Sequence, residues 1–262
     1  VSSNILVKVA IMMVEICRGR WRIMAVARWT IGDASQAGYE ALYLSIASFQ
    51  HLYPDAKIVI CHNCPINNLE TIVARFPTAK FHDQSQYLQS RCPPMGVAWK
   101  LYPPRLAPDD HEICIDNDVI LLDRIPEIDT FLQGDCTLLL EGSSRNYGRF
   151  ETYVPPGYCI NSGVYGMPPK FNFQKYVNFY SGDQWEVNAF GPHAASKTFD
   201  EQGLVAIALL SYRKFAIIKE TSVTNCETHL IQGKGLHFVG VNRSQFHRPF
   251  RLFKSKIRKM YL

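Results

Sequence analysis

Asp116 and Asp118 interrupt an otherwise apolar run, Glu112-Ile-Cys-Ile-Asp-Asn-Asp-Val-Ile-Leu-Leu122. In an extended chain, side chains at i and i+2 leave the same face. Two like charges on one face resist desolvation unless a cation sits between them. Hard oxygen ligands in so small a cluster suit Mg²⁺, Mn²⁺ or Ca²⁺. A bare Asp-x-Asp also occurs as two solvated aspartates where a strand turns, so the pair alone leaves both readings open. Its Val, Ile and Leu flanks fill both faces, which predicts one buried strand of a parallel sheet with helices on either side. Cys61-His-Asn-Cys64 is a lone C-x-x-C with no second pair, and it is read as a strand end rather than a zinc or redox centre.

The elements around the aspartates alternate. A strand is predicted from Arg22 to Trp29, and a polar turn follows at Thr30-Ile-Gly-Asp-Ala-Ser. A helix runs from Tyr39 to Tyr53 with Leu42, Ile46 and Phe49 at helical spacing. Then come a strand at Lys57 to Cys61, a helix at Asn68 to Phe76 and a short strand at Lys80 to His82. Prolines at 93, 94, 103 and 104 confine any further helix to about Val97 to Tyr102. The aspartate strand and another at Leu138 to Glu141 complete a β-α-β rhythm. That rhythm predicts an α/β fold: a Rossmann-like, mostly parallel open sheet with helices on both faces. Ligands bind such sheets beyond the carboxyl ends of the strands, where Asp116 and Asp118 fall. No G-x-G-x-x-G or Walker A loop is present. Ser143 to Gly157 is a polar and aromatic loop of the length that often forms a lid. A strand at Tyr158 to Gly166, helices at Phe173 to Tyr180 and Leu204 to Leu210, and a short strand at Gly235 to Gly240 follow.

The 262 residues are read as a single domain, 1–262, with 241–262 a basic tail. At 47% hydrophobic and 19% charged, the chain is globular rather than disordered. No apolar run reaches the ~18 residues of a membrane span. Ile5 to Cys17 is read as a strand or amphipathic helix, not a signal peptide. Cysteines 17, 114, 136 and 159 sit among apolar residues as small core hydrophobes, so a reducing, cytoplasmic compartment is expected. The tail carries seven basic residues and no acid, which leaves the remainder slightly acidic despite the net +5. Phe246, Phe250, Phe253, Ile257 and Met260 recur in it at spacings of four and three. That stripe either lies on an anionic membrane as a peripheral contact or packs onto the domain, with Pro249 in the helix's first turn. Nucleic acid is not expected as a partner, because no recognised binding module accompanies the charge.

Four segments in order resemble the GT-A glycosyltransferases, most nearly glycosyltransferase family 8, to which glycogenin and the lipopolysaccharide galactosyltransferases belong. Thr30 and Tyr39 fall as in the family's nucleotide-binding opening, and Cys114-Ile-Asp-Asn-Asp-Val-Ile-Leu looks like its Asp-x-Asp segment. Asn161-Ser-Gly-Val resembles its Asn-(Ser/Ala)-Gly-Val strand, and Gly235-Leu-His-Phe-Val-Gly its C-terminal His-Phe-x-Gly. Two places depart. Asp200-Glu-Gln-Gly stands where the family has Asp-Gln-Asp, and Arg248-Pro-Phe250 where it has Lys-Pro-Trp.

The resemblance implies transfer of a sugar from a nucleoside diphosphate sugar, a UDP-sugar in the first instance, to an acceptor hydroxyl, with retention. The acceptor, whether glycan, lipid or protein, is left open. Asp116, Asp118 and His237 would hold the metal, and the imidazole tilts the choice toward Mn²⁺ over Mg²⁺. Thr30 and Tyr39 would line the base pocket, and Lys100 and Arg248 would meet phosphate; Lys100 reads first as an exposed helix lysine, and Arg248 reads equally as a solvated tail arginine. Asn161 and Gln202 would read donor-sugar hydroxyls, since an amide both donates and accepts. Asp200 and Glu201 are the carboxylates assigned to the anomeric carbon, with Glu141 a weaker alternative. Two other classes compete: a sugar-nucleotide nucleotidyltransferase, which needs a lysine- or arginine-bearing Gly-rich loop absent from the Thr30 turn, and a non-catalytic GT-A-like nucleotide- or glycan-binding domain.

Overall fold

The structure, a computed structural model, describes residues 25–89, 96–181, 200–226, 233–239 and 247–262. The expected N-terminal element at Ile5 to Cys17, the first residues of the Arg22 strand and the tail up to Phe246 lie outside them.

Seven strands form the main sheet, in the order β3-β2-β1-β4-β7-β6-β8. They are β1 (Ala25–Ile31), β2 (Lys57–His62), β3 (Lys80–Asp83), β4 (His111–Ile115), β6 (Thr137–Glu141), β7 (Ile160–Met167) and β8 (Phe215–Ile218). Pairing is parallel from β3 to β4 and between β6 and β8, while β7 runs antiparallel to both its neighbours. The sheet is thus mostly parallel, as expected, with one reversed strand. Side chains alternate between two buried faces: Ile113, Ile115, Leu138 and Leu140 enter one core, and Cys114, Leu139 and Tyr165 the other. Helix α1 (Gln36–Leu52) brings Leu42, Ile46 and Phe49 to the first core, with α2 (Glu70–Arg75) and α3 (Pro126–Gln133) beside it. Helices α4 (Phe173–Ser181) and α5 (Asp200–Leu210) cover the second.

The run from Glu112 to Leu122 is not one strand, contrary to expectation. β4 ends at Ile115, the chain turns through Asp116-Asn-Asp118, and β5 (Val119–Leu121) enters a separate three-stranded sheet of order β5-β10-β9. Asp and Asn favour turns over strands, and the amide of Val119 closes this one on the Asp116 carbonyl at 3.2 Å. β10 (Gly235–His237) pairs antiparallel with β5 and parallel with β9 (Val223–Asn225). Two helix serines complete β5: Ser45 donates to the Val119 carbonyl, and Ser48 accepts from the Leu121 amide.

One further expectation is corrected: the 143–157 segment is no free lid, because Tyr147, Phe150 and Val154 are buried in the second core. Of the two readings of the tail's stripe, packing onto the domain is the one seen for Phe250, Phe253 and Ile257, while Met260 stays exposed. In α6 (His247–Tyr261), Phe250 and Ile257 are fully buried against the small sheet, with Phe253 beside them, and Lys254 pairs with Glu40 of α1 at 2.7 Å. Pro249 does occupy the first turn. Among the described residues no helix is long and apolar enough to cross a membrane.

Candidate metal and donor site

The turn after β4 is clamped from three sides. The Asp116 amide donates to the Gly163 carbonyl of β7 at 2.8 Å, and the Asp118 carbonyl accepts from the Phe238 amide at 2.9 Å. Asn117, between them, points its amide into the first turn of α1 and donates to the Gly38 carbonyl at 3.1 Å. Register across the small sheet sets His237 opposite Val119, one residue past Asp118. Ligand atoms of Asp116, Asp118 and His237 therefore all lie within 4.8 Å of one another. Gly163 makes this approach feasible: a Cβ there would sit 2.6 Å from His237 Cε1 and 2.8 Å from Asn161 Oδ1.

Electrostatics favour a cation at this cluster. Asp118 Oδ1 and His237 Nδ1 are buried with no hydrogen-bond partner, a costly arrangement unless a ligand satisfies them. Asp118 Oδ1 lies 3.3 Å from His237 Nε2. Burial pushes the His237 pKa down, but the Asp118 carboxylate beside it, and then Asp116, outweigh that, and the net direction is up. Two carboxylates and an imidazole are a donor set that suits a divalent cation of the Mg²⁺ or Mn²⁺ kind. The residues fit the metal that the fold implies.

Lys100 is partly buried at the same place rather than exposed on a helix. It sits in a 3₁₀ segment, Gly96–Leu101, and its ammonium lies 2.9 Å from Asp116, 3.1 Å from Glu201 and 3.1 Å from the Ser162 hydroxyl. Burial opposes its charge, yet Asp116 and Glu201 more than offset this and hold its pKa above the ordinary lysine value. Burial raises the Glu201 pKa, and Lys100 counters only part of that. The segment is held from behind by a buried ion pair, Arg28 with Glu112, at 3.2 Å. Arg28 donates to the carbonyls of Lys100 (2.7 Å) and Pro103 (2.6 Å), while Glu112 accepts from the amides of Leu106 and Ala107.

The other expected site residues divide. Asn161 stands beside the cluster, its Oδ1 accepting from the Gly163 amide at 2.7 Å. Gln202 is engaged with backbone at both ends, accepting from Ser162 and donating to Asn146. Asp200 takes the Arg149 amide at 2.9 Å and its guanidinium at 3.1 Å, so it fastens the 143–157 segment to α5. Glu141 pairs with Lys219 at the sheet edge. Thr30 lies near the end of β1, next to β4 in the sheet. Tyr39 turns its hydroxyl to the Gly32 carbonyl at 3.1 Å and accepts from Asn68 at 3.3 Å. Arg248 is exposed in the first turn of α6. Sequence reasoning passed over Ser162, Asn117, Arg28 and Glu112. For the last two a signal existed: a charge inside an apolar strand, in Ala-Val-Ala-Arg-Trp and in His-Glu-Ile-Cys-Ile.

No protein-family model and no curated protein matches the chain. Solved structures match its fold. The galactosyltransferase LgtC, crystallised with donor and acceptor sugar analogues, is 14% identical with a TM-score of 0.55, the match covering 88% of this chain and 95% of that one. The glycosyltransferase GlyE of Streptococcus pneumoniae is 13% identical with a TM-score of 0.52, over 90% of this chain and 62% of that one. The bifunctional glycosyltransferase WbbM is 10% identical with a TM-score of 0.53, over 92% and 52%. With its mostly parallel seven-stranded sheet and the small sheet set against it, the chain has the GT-A glycosyltransferase fold.

Proposed function

We propose that the protein is a metal-dependent glycosyltransferase that moves a sugar from a nucleoside diphosphate sugar, UDP-linked in the first instance, to an acceptor hydroxyl with retention. The observation that carries this reading is the Asp116–Asp118–His237 cluster, placed where the β4 strand of a GT-A fold ends. A divalent cation held there, Mn²⁺ before Mg²⁺, supplies Lewis-acid charge to the departing diphosphate.

The chain's own residues supply the rest. Glu201 is the carboxylate nearest the reacting centre, because it shares Lys100 with Asp116 while Asp200 is committed to Arg149. As the bond from the anomeric carbon to the diphosphate oxygen breaks, the bond to the acceptor oxygen forms on the same face, and the acceptor's proton passes to the departing diphosphate oxygen. Glu201 stabilises the positive charge developing on the sugar, and Lys100 stands ready to meet negative charge on the leaving group. Asn161 is assigned to a donor hydroxyl, and Thr30 and Tyr39 to the wall of the base pocket. Gln202 acts on the sugar through the Ser162 backbone it holds. Arg248 is assigned to phosphate from the α6 side.

A thermal-shift panel of nucleoside diphosphates and nucleotide sugars, with and without Mn²⁺, tests the reading by mass action on the folded state. UDP should stabilise the chain when Mn²⁺ is present, and Asp118→Asn should abolish that shift. No response to any diphosphate, or a response unchanged in Asp118→Asn, refutes it. Anomer analysis of the product decides retention.

A further inference from the structure

The Lys100 ammonium donates hydrogen bonds to Asp116 and Ser162 and pairs with Glu201. An ammonium carries three donors, and Asp116, Glu201 and Ser162 stand at 2.9 to 3.1 Å around it. Its backbone is pinned by Arg28 and by the Tyr165 hydroxyl, so only the flexible four-carbon stem is free to redirect the charge. Asp116 is thus claimed twice, once by Lys100 and once by the cluster with Asp118 and His237.

We infer that Lys100 competes with the divalent cation for Asp116, and that an arriving diphosphate draws Lys100 away and so tightens the cation. This rests on the glycosyltransferase reading only for the identity of the diphosphate. The charges at the site set the signs. Asp116, Asp118 and Glu201 with Lys100 carry a formal −2, which a divalent cation brings to zero. Without Lys100 the same carboxylates carry −3, so the cation is held more strongly and the site stays at −1 toward an incoming diphosphate. Removing Lys100 therefore acts in opposite directions on the two ligands. A lysine that only braced the fold, or only bound phosphate, would leave the cation's own affinity unchanged or weaker. By linkage, the factor by which UDP tightens Mn²⁺ equals the factor by which Mn²⁺ tightens UDP, and Lys100 contributes to both.

Direct Mn²⁺ titration of the full chain, read from the electron paramagnetic resonance of free Mn²⁺, tests this with and without UDP. In Lys100→Met and Lys100→Gln, Mn²⁺ alone should bind about tenfold tighter or more, UDP at saturating Mn²⁺ should bind weaker, and the mutual enhancement should shrink. Unchanged or weaker Mn²⁺ binding in either variant, folded by circular dichroism, overturns the inference. In the unaltered protein, Mg²⁺ alone should speed amine labelling of Lys100 and UDP with Mg²⁺ should suppress it; a rate indifferent to both also overturns it. Tightened Mn²⁺ with no UDP binding in any of the proteins supports the competition and overturns the donor reading. Metal-dependent UDP binding with Mn²⁺ affinity indifferent to residue 100 does the reverse.

Discussion

Consider replacing the buried pair Arg28 and Glu112, first singly and then together. Both side chains are essentially inaccessible: removing Glu112 leaves Arg28 buried without a carboxylate, and removing Arg28 leaves Glu112 only the longer contact with Arg105 at 3.8 Å. Such a loss costs about 3–5 kcal/mol, a large part of the ~5–15 kcal/mol that holds a typical domain. Glu112→Gln and Arg28→Met should each lower stability by that amount. The double variant Arg28→Met/Glu112→Leu is the more informative. Buried pairs exchanged for apolar residues are often neutral, or stabilising by about 1–4 kcal/mol.

Here the backbone changes that expectation. The Pro103 carbonyl relies on Arg28, and the Leu106 and Ala107 amides rely on Glu112, whereas the Lys100 carbonyl keeps Tyr165 as a second donor. Three backbone groups lose their partners at about 1–3 kcal/mol each, about 6 kcal/mol at the middle of that range, which exceeds the apolar gain of about 1–4 kcal/mol. The double variant should therefore stay below the wild type. Urea denaturation reads this as a lower midpoint at unchanged slope. A double variant as stable as the wild type would refute the argument that the pair exists to hold the 96–107 segment.

Gly163→Ala should weaken Mn²⁺ binding about 10–100-fold, since the new methyl must displace the His237 ring; titration showing wild-type affinity rules out the close approach. His237 gives a pH signature. Its pKa is raised, so in the folded chain without metal its contribution to stability is full below the unfolded value and fades as pH rises through the raised one. Mn²⁺ needs the neutral ring, so the thermal shift it causes should grow from about pH 5.5 to 8; a flat shift across that window contradicts ligation by His237. In α6, Phe250→Ala should cost about 3–5 kcal/mol, while Arg251→Glu and Lys259→Glu should stay within about 0.5 kcal/mol, all by urea midpoint; a neutral Phe250→Ala would mean the stripe is not packed.

What was legible in the sequence is what short-range physics decides. The short apolar runs of β1, β2, β4 and β6, buried on both faces, and the helical spacing of Leu42, Ile46 and Phe49 are local signals, so most of the main sheet and α1 were open to reading. Helix α3 went unread although Pro126 opens it and Gly134 closes it, both ordinary boundary signals. The strands β5 and β9 are three residues each, too short for a period, and form only because distant partners meet; β10, equally short, was read from Gly235 to Gly240, whereas β8 at the sheet edge was not. Lys100 shows the limit most directly. Its neighbours in sequence allow an exposed lysine, and its burial depends on Arg28, 72 positions away, and on Tyr165, 65 positions away.

The tail makes the same point from the other side. Spacings of four and three between Phe250, Phe253, Ile257 and Met260 announce a helix and its stripe, but not what the stripe meets. A membrane and a protein core make the same demand on those positions. The choice is made by Phe238, one residue past His237, whose ring lies 5.4 Å from that of Phe250 and 6.3 Å from that of Phe253. Tyr261 then fastens the far end of α6 to the Leu121 carbonyl of β5 at 2.7 Å. The helix thus braces both strands that present metal-cluster residues: β10, which carries His237, and β5, which Asp118 leads into. Arg251, Lys256, Arg258 and Lys259 lie outward because the inward positions are occupied by this bracing, while Lys254 pairs with Glu40 of α1.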